Sequence, residues 1–195
     1  MPVTLARSRL LTIAVALGAI ALVAVLYGIS RLTVHAPLKP PASLARLVMA
    51  DRARPVADVA FEGPGGKRLT LGEFRGRYVL LNLWATWCAP CVRELPALAA
   101  LEQRVPQGRL SVVAVDVGRG TISDAAQFLK SHGAEKLDVY VDPDIALMRA
   151  FGAYGLPLSV LIDPEGREIA RAVGPADWSA KDSVRYFERL TAAKS

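Results

Sequence analysis

Two cysteines carry the strongest chemical signal in this chain of 195 residues. Cys88 and Cys91 follow an apolar run, Tyr78 to Ala85, which predicts a buried β-strand. A helix-compatible segment comes next, so Cys88 is expected on the opening turn of a helix. Unpaired N–H groups and the helix dipole stabilise a thiolate there, and a thiolate is the species that attacks a disulfide. The spacing therefore predicts thiol–disulfide exchange, with Cys88 as the nucleophile and Cys91 as the resolving thiol.

Two other interpretations of the cysteine pair are an inert disulfide and a metal site. A disulfide across so short a loop stabilises little, because the chain-entropy contribution grows with loop length. A zinc site needs about four ligands. The chain has only two histidines besides its two cysteines, His35 and His132, and both lie outside the motif. We therefore expect no cofactor and no metal, only a redox-active disulfide.

Strand and helix patterns alternate around the motif. A first hairpin is predicted within residues 59–70 and a second within residues 159–173, across Asp163 to Gly166. Strands are also predicted at residues 110–117 and 139–141, and helices at residues 88–104 (kinked at Pro96), 123–131, 143–151 and 179–192. A βαβ core followed by a hairpin and a terminal helix predicts an α/β fold with a central mixed sheet.

The N-terminal region predicts a membrane anchor. Residues 10–29 contain no charged side chain, and a helix of this length is about as long as the hydrocarbon core of a bilayer is thick, about 30 Å. A cleaved secretory signal usually has an apolar stretch of only about 7–15 residues and ends in a small-x-small site. The stretch here is longer and Ala-x-Ala is missing near its end; the best small-residue candidates, Gly28-Ile29-Ser30 and Val34-His35-Ala36, are followed by Arg31 and Pro37. A buried core helix is the remaining alternative. We expect residues 1–9 in the cytoplasm and residues 10–29 across the membrane.

The segment after the anchor, residues 30–54, is predicted to be a linker. It begins with a proline-rich spacer. Residues 43–49 then form a candidate amphipathic helix with Leu44, Leu47 and Val48 on one side. The folded domain is expected to start near Pro55 and to span residues 55–195.

The net charge of +6 does not indicate a nucleic-acid-binding protein. Residues 1–40 hold four of the 24 basic residues and none of the 18 acidic ones, so the remainder is nearly balanced. Its basic residues are scattered among acids and form no stripe that could follow a phosphate backbone. The charge excess is a feature of the membrane flank, and we expect no nucleic-acid partner.

Three segments of the chain resemble segments of the thioredoxin superfamily. Within it they are most similar to the membrane-anchored TlpA/ResA/CcmG-like branch, and in that branch to TlpA. The first is the active-site segment Leu81 to Leu98, and the second is the Gly-x-Pro-x-Ser segment in residues 155–163. The third is Gly174 to Trp178. The resemblance spans roughly residues 38–190 and implies a thioredoxin-like fold with an N-terminal hairpin and an inserted αβ element.

The resemblance also implies how substrate reaches the dithiol. It implies that the Leu156–Pro157 peptide bond is cis and that this loop lies beside the cysteines, where its main chain forms hydrogen bonds with an incoming peptide. Trp87, Ala89 and Pro90 complete the expected substrate-binding residues. Without the resemblance, Pro157 would be an ordinary turn proline, since only about 5–6% of X–Pro bonds are cis.

Glu94 is the third expected catalytic residue. In this branch, an acid three residues after the second cysteine tunes thiol ionisation and proton transfer. From the residues alone, Glu94 would be a solvated glutamate in the first turn of a helix. Thioredoxin has a buried aspartate where this chain has Asn82, so Glu94 is the better candidate to assist deprotonation of Cys91.

The function implied by the resemblance is a membrane-tethered thiol:disulfide oxidoreductase whose domain faces the periplasm. It would reduce disulfides of client proteins in assembly of the copper centre of a respiratory oxidase or in cytochrome c maturation. Its electrons would come from a membrane thiol transporter of the CcdA/DsbD type, and the protein would be a monomer. The alternatives are a DsbA-like thiol oxidant and a Sco-like copper-binding factor, although the latter needs a Cys-x-x-x-Cys motif and a nearby histidine.

Overall fold

Eight strands form one mixed sheet in residues 38–192, the part of the chain that the computed structural model describes. The strands are β1 (Leu47–Pro55), β2 (Ala60–Glu62), β3 (Arg68–Thr70), β4 (Tyr78–Trp84), β5 (Leu110–Asp116), β6 (Tyr140–Val141), β7 (Leu158–Ile162) and β8 (Arg167–Val173). Their spatial order is β1-β8-β7-β4-β5-β6-β2-β3. The helices are α1 (Ala89–Arg104), α2 (Ile122–Ser131), α3 (Ala146–Ala150) and α4 (Lys181–Ala192).

The centre of the sheet is β4, which pairs in parallel with β5 and antiparallel with β7. Every residue of β4 is buried, which explains its almost uninterrupted apolar sequence. Asn82 is its only side chain that carries an amide. The chain leaves the carboxyl end of β4 at Trp84 and reaches the first cysteine, Cys88, four residues later. The central strand therefore fixes the position of the dithiol.

Helix α1 begins immediately after Cys88, which is its N-cap residue. A turn leads into it, in which the Cys88 N–H donates to the carbonyl of Ala85 at 3.0 Å, and the Cys88 carbonyl accepts from Val92 at 3.0 Å. The predicted helix over residues 88–104 is confirmed to within one residue. Pro96 lies inside it, where it removes one backbone donor.

Most of the other predicted elements are confirmed. Both hairpins form, as β2 with β3 and β7 with β8. Helix α2 has a capping box in which Thr121 and Asp124 satisfy each other's backbone N–H groups. The mixed central sheet flanked by helices is the predicted α/β architecture.

Two helix starts differ from the prediction. Helix α3 begins at Ala146 and not at residue 143, because Ile145 has a positive φ of 50° and the Asp142 carboxylate accepts from the N–H of Leu147 at 2.7 Å. Helix α4 begins at Lys181. The carboxylate that accepts from the N–H of Ala180 before this helix belongs to Asp177, at 3.1 Å.

The predicted amphipathic helix at residues 43–49 is wrong. A short 3-10 turn at Ala42–Leu44 is followed by strand β1, which pairs with β8. Leu44 and Leu47 are buried, but Val48 is 64% exposed, as alternation along a strand requires. The open edge of β8 supplies hydrogen-bond partners that outweigh the helical spacing. Residues from Lys39 onward belong to one compact unit, so the domain starts before Pro55 and residues 47–54 are not linker.

The predicted anchor at residues 10–29, with the segment 1–9 before it, lies outside the described residues. Between residues 38 and 192, the helices are all too short or too polar to cross a bilayer.

Candidate active site

Cys88 and Cys91 form a disulfide at the N-terminus of α1. The two sulfurs are 2.02 Å apart and the two Cα atoms 5.3 Å apart. Cys88 is 5% exposed, whereas Cys91 is fully buried one turn further along the helix. Cys88 is therefore the sulfur nearer to the surface, as the predicted order of the two thiols requires.

The residues around the disulfide differ sharply in exposure. Trp87 is 70% exposed immediately before Cys88, while Trp84 is fully buried and packs on Phe128 with a ring-centroid distance of 5.6 Å. Between the cysteines, Ala89 is exposed and Pro90 is half-buried. Trp84 is thus a core residue, and the surface beside the sulfur is formed by Trp87, Ala89 and Pro90.

The Leu156–Pro157 peptide bond is cis, as the resemblance implies. Strand β7 begins directly after it, and the register places Leu158 opposite Leu83 of β4. This pairing brings Pro157 to the end of β4 from which the dithiol loop leaves. The carbonyl of Pro157 accepts from the N–H of Gly174 at 2.9 Å, which ties the loop to the segment after β8.

Glu94 is buried, with 4% of its surface exposed, so the solvated alternative for this residue is wrong. It lies one turn after Cys91 on the buried face of α1. One carboxylate oxygen accepts from Asn82 Nδ2 at 2.8 Å, and the other accepts from Ala176 N at 3.3 Å and Trp178 Nε1 at 3.2 Å. Burial raises the pKa of Glu94, and the three hydrogen bonds oppose this without cancelling it.

Asn82 connects Glu94 to the central sheet. Its Nδ2 also donates to Ser159 Oγ at 2.9 Å, across the β4–β7 pair. Its Oδ1 is buried and has no hydrogen-bond partner among the described residues. Asn82, Ser159 and Glu94 therefore form a small buried polar layer that joins β4, β7 and α1.

The sequence did not predict this layer. Nothing in the sequence pattern predicts a role for Ser159, Ala176 or Trp178, although the segment Gly174 to Trp178 is part of the resemblance. Trp178 is one of only three tryptophans in the chain and is fully buried, with its indole N–H on Glu94. A tryptophan shortly after a Gly-Pro pair was the one available signal.

Metal-binding side chains do not cluster in residues 38–192, where no group of three or more histidines, cysteines or acids could hold an ion. The disulfide and the acid beside it are the chemical groups of this site. A family model described as the AhpC/TSA family matches residues 53–170, which is more than half of the chain.

The chain belongs to the AhpC/TSA family.

Curated relatives of this AhpC/TSA-family chain are thiol–disulfide exchange proteins. It is 35% identical over 113 residues to the thiol-disulfide oxidoreductase ResA of Bacillus subtilis (strain 168), an alignment that covers 58% of this chain and 62% of that protein. It is 32% identical over 108 residues to the thiol:disulfide interchange protein CycY of Rhizobium leguminosarum bv. viciae, covering 55% and 56%. The alignments span less than two thirds of both relatives.

A solved structure supports the same grouping. The crystal structure of a thiol:disulfide interchange protein DsbE from Chlorobium tepidum matches with a TM-score of 0.60 and 30% identity, over 73% of this chain and 96% of that one. The thioredoxin-like fold and the resemblance to the ResA/CcmG-like branch are therefore confirmed. The names of these relatives agree with the predicted enzyme class of thiol–disulfide oxidoreductase.

Proposed function

We propose that this chain is a thiol:disulfide oxidoreductase that reduces disulfides of client proteins. The observation that carries the proposal is the disulfide itself. It joins the N-cap residue of α1 to a buried thiol one turn later, beside a cis-proline loop. At a helix start, backbone N–H groups and the dipole favour the thiolate of Cys88 once the bond is reduced.

The reaction has two steps. In the first, the Cys88 thiolate attacks one sulfur of the client disulfide, a Cys88–client disulfide forms, and the other client sulfur leaves as a thiolate that takes up a proton. In the second, Cys91 loses its proton and attacks Cys88, which releases the second client thiolate. Two electrons pass to the client, and the Cys88–Cys91 disulfide forms again.

Glu94 is the proposed proton acceptor for Cys91 in the second step. It lies on the same buried face of α1 as Cys91, and its raised pKa moves it from the ordinary carboxyl range toward the pKa of a thiol. Its donors hold the carboxylate in place while the proton is exchanged. Trp87, Ala89, Pro90, Leu156 and Pro157 form the proposed surface for the client peptide.

The cellular setting is a proposal that rests on the apolar segment at residues 10–29 and on the resemblance. The protein would be a monomer, anchored by one helix in the inner membrane with its domain in the periplasm. Clients would be copper-centre assembly proteins or apocytochrome c, and a CcdA/DsbD-type thiol transporter would restore the dithiol. A reductant is needed there because that compartment drives thiols to disulfides.

A trapping experiment tests the proposal. The full-length Cys91→Ser variant, expressed in the native host, should retain clients as mixed disulfides on Cys88, because the second step has lost its nucleophile. Changing Cys88→Ser as well should abolish trapping. If the Cys91→Ser protein retains nothing while reduced wild type also fails to reduce insulin, the proposal is wrong.

Equilibration with glutathione gives the direction of electron flow. A reduction potential close to that of thioredoxin, about −270 mV, is expected for a reductant. A value near that of DsbA, about −120 mV, would instead make the chain an oxidant.

A further inference from the structure

A groove of about 510 Å³ lies beside the dithiol, and we call it the basic groove. Its walls come from three separate segments of the chain: the turn before β1, the first turns of α1, and the loop after β8. The residues that matter for its chemistry are Arg46, Pro90, Arg93, Glu94, Ala176 and Asp177.

The groove is continuous with the proposed active site on two sides. Pro90 lines it and stands between the two cysteines in the chain. Pro175 and Ala176 line it as well, directly after Gly174, whose N–H donates to the carbonyl of the cis residue Pro157 at 2.9 Å. A polypeptide that presents a disulfide to Cys88 can therefore place its flanking residues in the groove.

Both acids of the groove accept hydrogen bonds from neutral donors of the protein. The Asp177 carboxylate accepts from the Ser179 hydroxyl at 3.2 Å and from the N–H of Ala180 at 3.1 Å. Glu94 is buried and accepts from three donors. Neither carboxylate forms an ion pair with an arginine of the groove.

The two arginines are the positive charges that line the groove. Arg46 and Arg93 are exposed, and neither forms an ion pair with any carboxylate in residues 38–192. The one hydrogen bond of the Arg46 guanidinium in this part of the chain is a long one of 3.5 Å to the carbonyl of Val173. The groove therefore offers two guanidinium groups to whatever occupies it.

We propose that the basic groove selects clients by an acidic segment beside their disulfide, whose carboxylates pair with Arg46 and Arg93. Guanidinium groups match carboxylates in shape and charge, and can bind them through two parallel hydrogen bonds. The identity of the occupant as a client rests on the proposed function. The charge preference rests on the groove alone.

Peptide reduction tests this selection. Two peptides with the same internal disulfide are compared, one flanked by Asp and Glu and the other by Asn and Gln. Reduced full-length protein should reduce the acidic peptide about five-fold faster at low ionic strength, a ratio expected from two exposed ion pairs. High salt should remove the difference, because salt screens such pairs.

The R46Q/R93Q variant should lose this preference while it reduces the amide peptide at the wild-type rate. The matched control is Arg68→Gln, since Arg68 is exposed on β3 at the opposite edge of the sheet and outside the groove. It should keep the preference. An unchanged preference in R46Q/R93Q would overturn the proposal.

A binding measurement separates this proposal from the proposed function. An acidic peptide with serines in place of its cysteines should bind wild type more tightly than R46Q/R93Q by fluorescence anisotropy, whether or not the chain reduces peptides. Equal binding would refute the proposed charge preference of the groove and would leave the proposed function untouched. If the two arginines instead govern binding to phosphatidylglycerol vesicles, with no effect on the acidic peptide, the occupant is a membrane surface and the proposal fails.

Discussion

Two buried carboxyl groups, Glu94 and Asp116, are held by the fold in different ways. Their exposed fractions are 4% and 2%, and burial raises the pKa of both. Glu94 accepts hydrogen bonds from Asn82, Ala176 and Trp178, which lie 12 to 84 residues away in the chain. Among the described residues, the Asp116 carboxylate accepts one hydrogen bond, at 2.7 Å, from the N–H of Gly118 only two positions further on.

The difference indicates different tasks. Glu94 is fixed by tertiary structure on the same helical face as Cys91, which suits a group that must hold a proton at one place. Asp116 closes a turn at the end of β5, where its carboxylate packs against Gly118. Comparable burial and the same direction of pKa shift therefore do not distinguish the two acids, whereas the origin of their hydrogen bonds does.

The largest expected difference is in catalysis. Glu94→Gln should slow the release of client from the mixed disulfide about 100-fold, because an amide cannot accept the proton of Cys91. Asp116→Asn should leave this step nearly unchanged. Stopped-flow measurement of product release checks both variants, with iodoacetamide labelling of Cys88 as the control for the first step. Equal losses in the two variants would remove the distinction.

A smaller effect is expected from packing around Asp116. A Cβ added at Gly118 would lie 2.8 Å from Asp116 Oδ1, whereas one at Gly120 would lie no closer than 3.4 Å to any neighbouring atom. Gly118→Ala should therefore lower the free energy of unfolding by about 1–3 kcal/mol, as overpacked sites do. Gly120→Ala should lower the free energy of unfolding by less.

Urea denaturation measures these costs, and a second background tests their cause. In an Asp116→Ala protein, the Gly118→Ala change should be much less costly, since the carboxylate oxygen is gone. The same cost in both backgrounds would show that the turn, and not the carboxyl group, limits this position.

The smallest expected effect is on the pH dependence of stability. Both carboxyl groups have a folded-state pKa above the ordinary value, 4.5 for Glu94 and 3.8 for Asp116. The folded protein therefore holds these protons more tightly than the unfolded chain does, and stability falls as the pH rises from the ordinary value through the raised pKa.

Glu94→Gln and Asp116→Asn should each make this fall shallower, and the Asp116 contribution should begin at lower pH. Urea unfolding between pH 4 and pH 8 compares each variant with wild type. Burial also raises the pKa of Glu102, but Glu102 is present in all three proteins and its contribution to the pH dependence is the same in each. A steeper fall in either variant would contradict the assigned direction.

The sequence was sufficient for the dithiol because its signal is local. A buried strand, a short turn and two cysteines at the start of a helix are contiguous in the chain, and each has its own pattern. The environment of Glu94 was not predictable in this way. Its donors come from β4 and from the loop after β8, and only the assembled sheet brings those segments together.

Strand β1 is a segment for which the local sequence pattern predicted the wrong secondary structure. The spacing of Leu44, Leu47 and Val48 fits a helix, but β8 has an edge that a strand can occupy. Backbone pairing at that edge determines the structure of this segment. Local periodicity contains no information about a partner more than a hundred residues away.

Strand β1 also disfavours edge-to-edge aggregation of this protein. Its pairing with β8 is interrupted between Met49 and Arg54, and residues from Ala50 to Pro55 are exposed, with Asp51, Arg52 and Arg54 among them. An irregular, charged edge strand that ends in proline is a poor template for pairing with a further strand. Copies of this protein held at high local concentration would therefore resist stacking into fibrils through this edge strand.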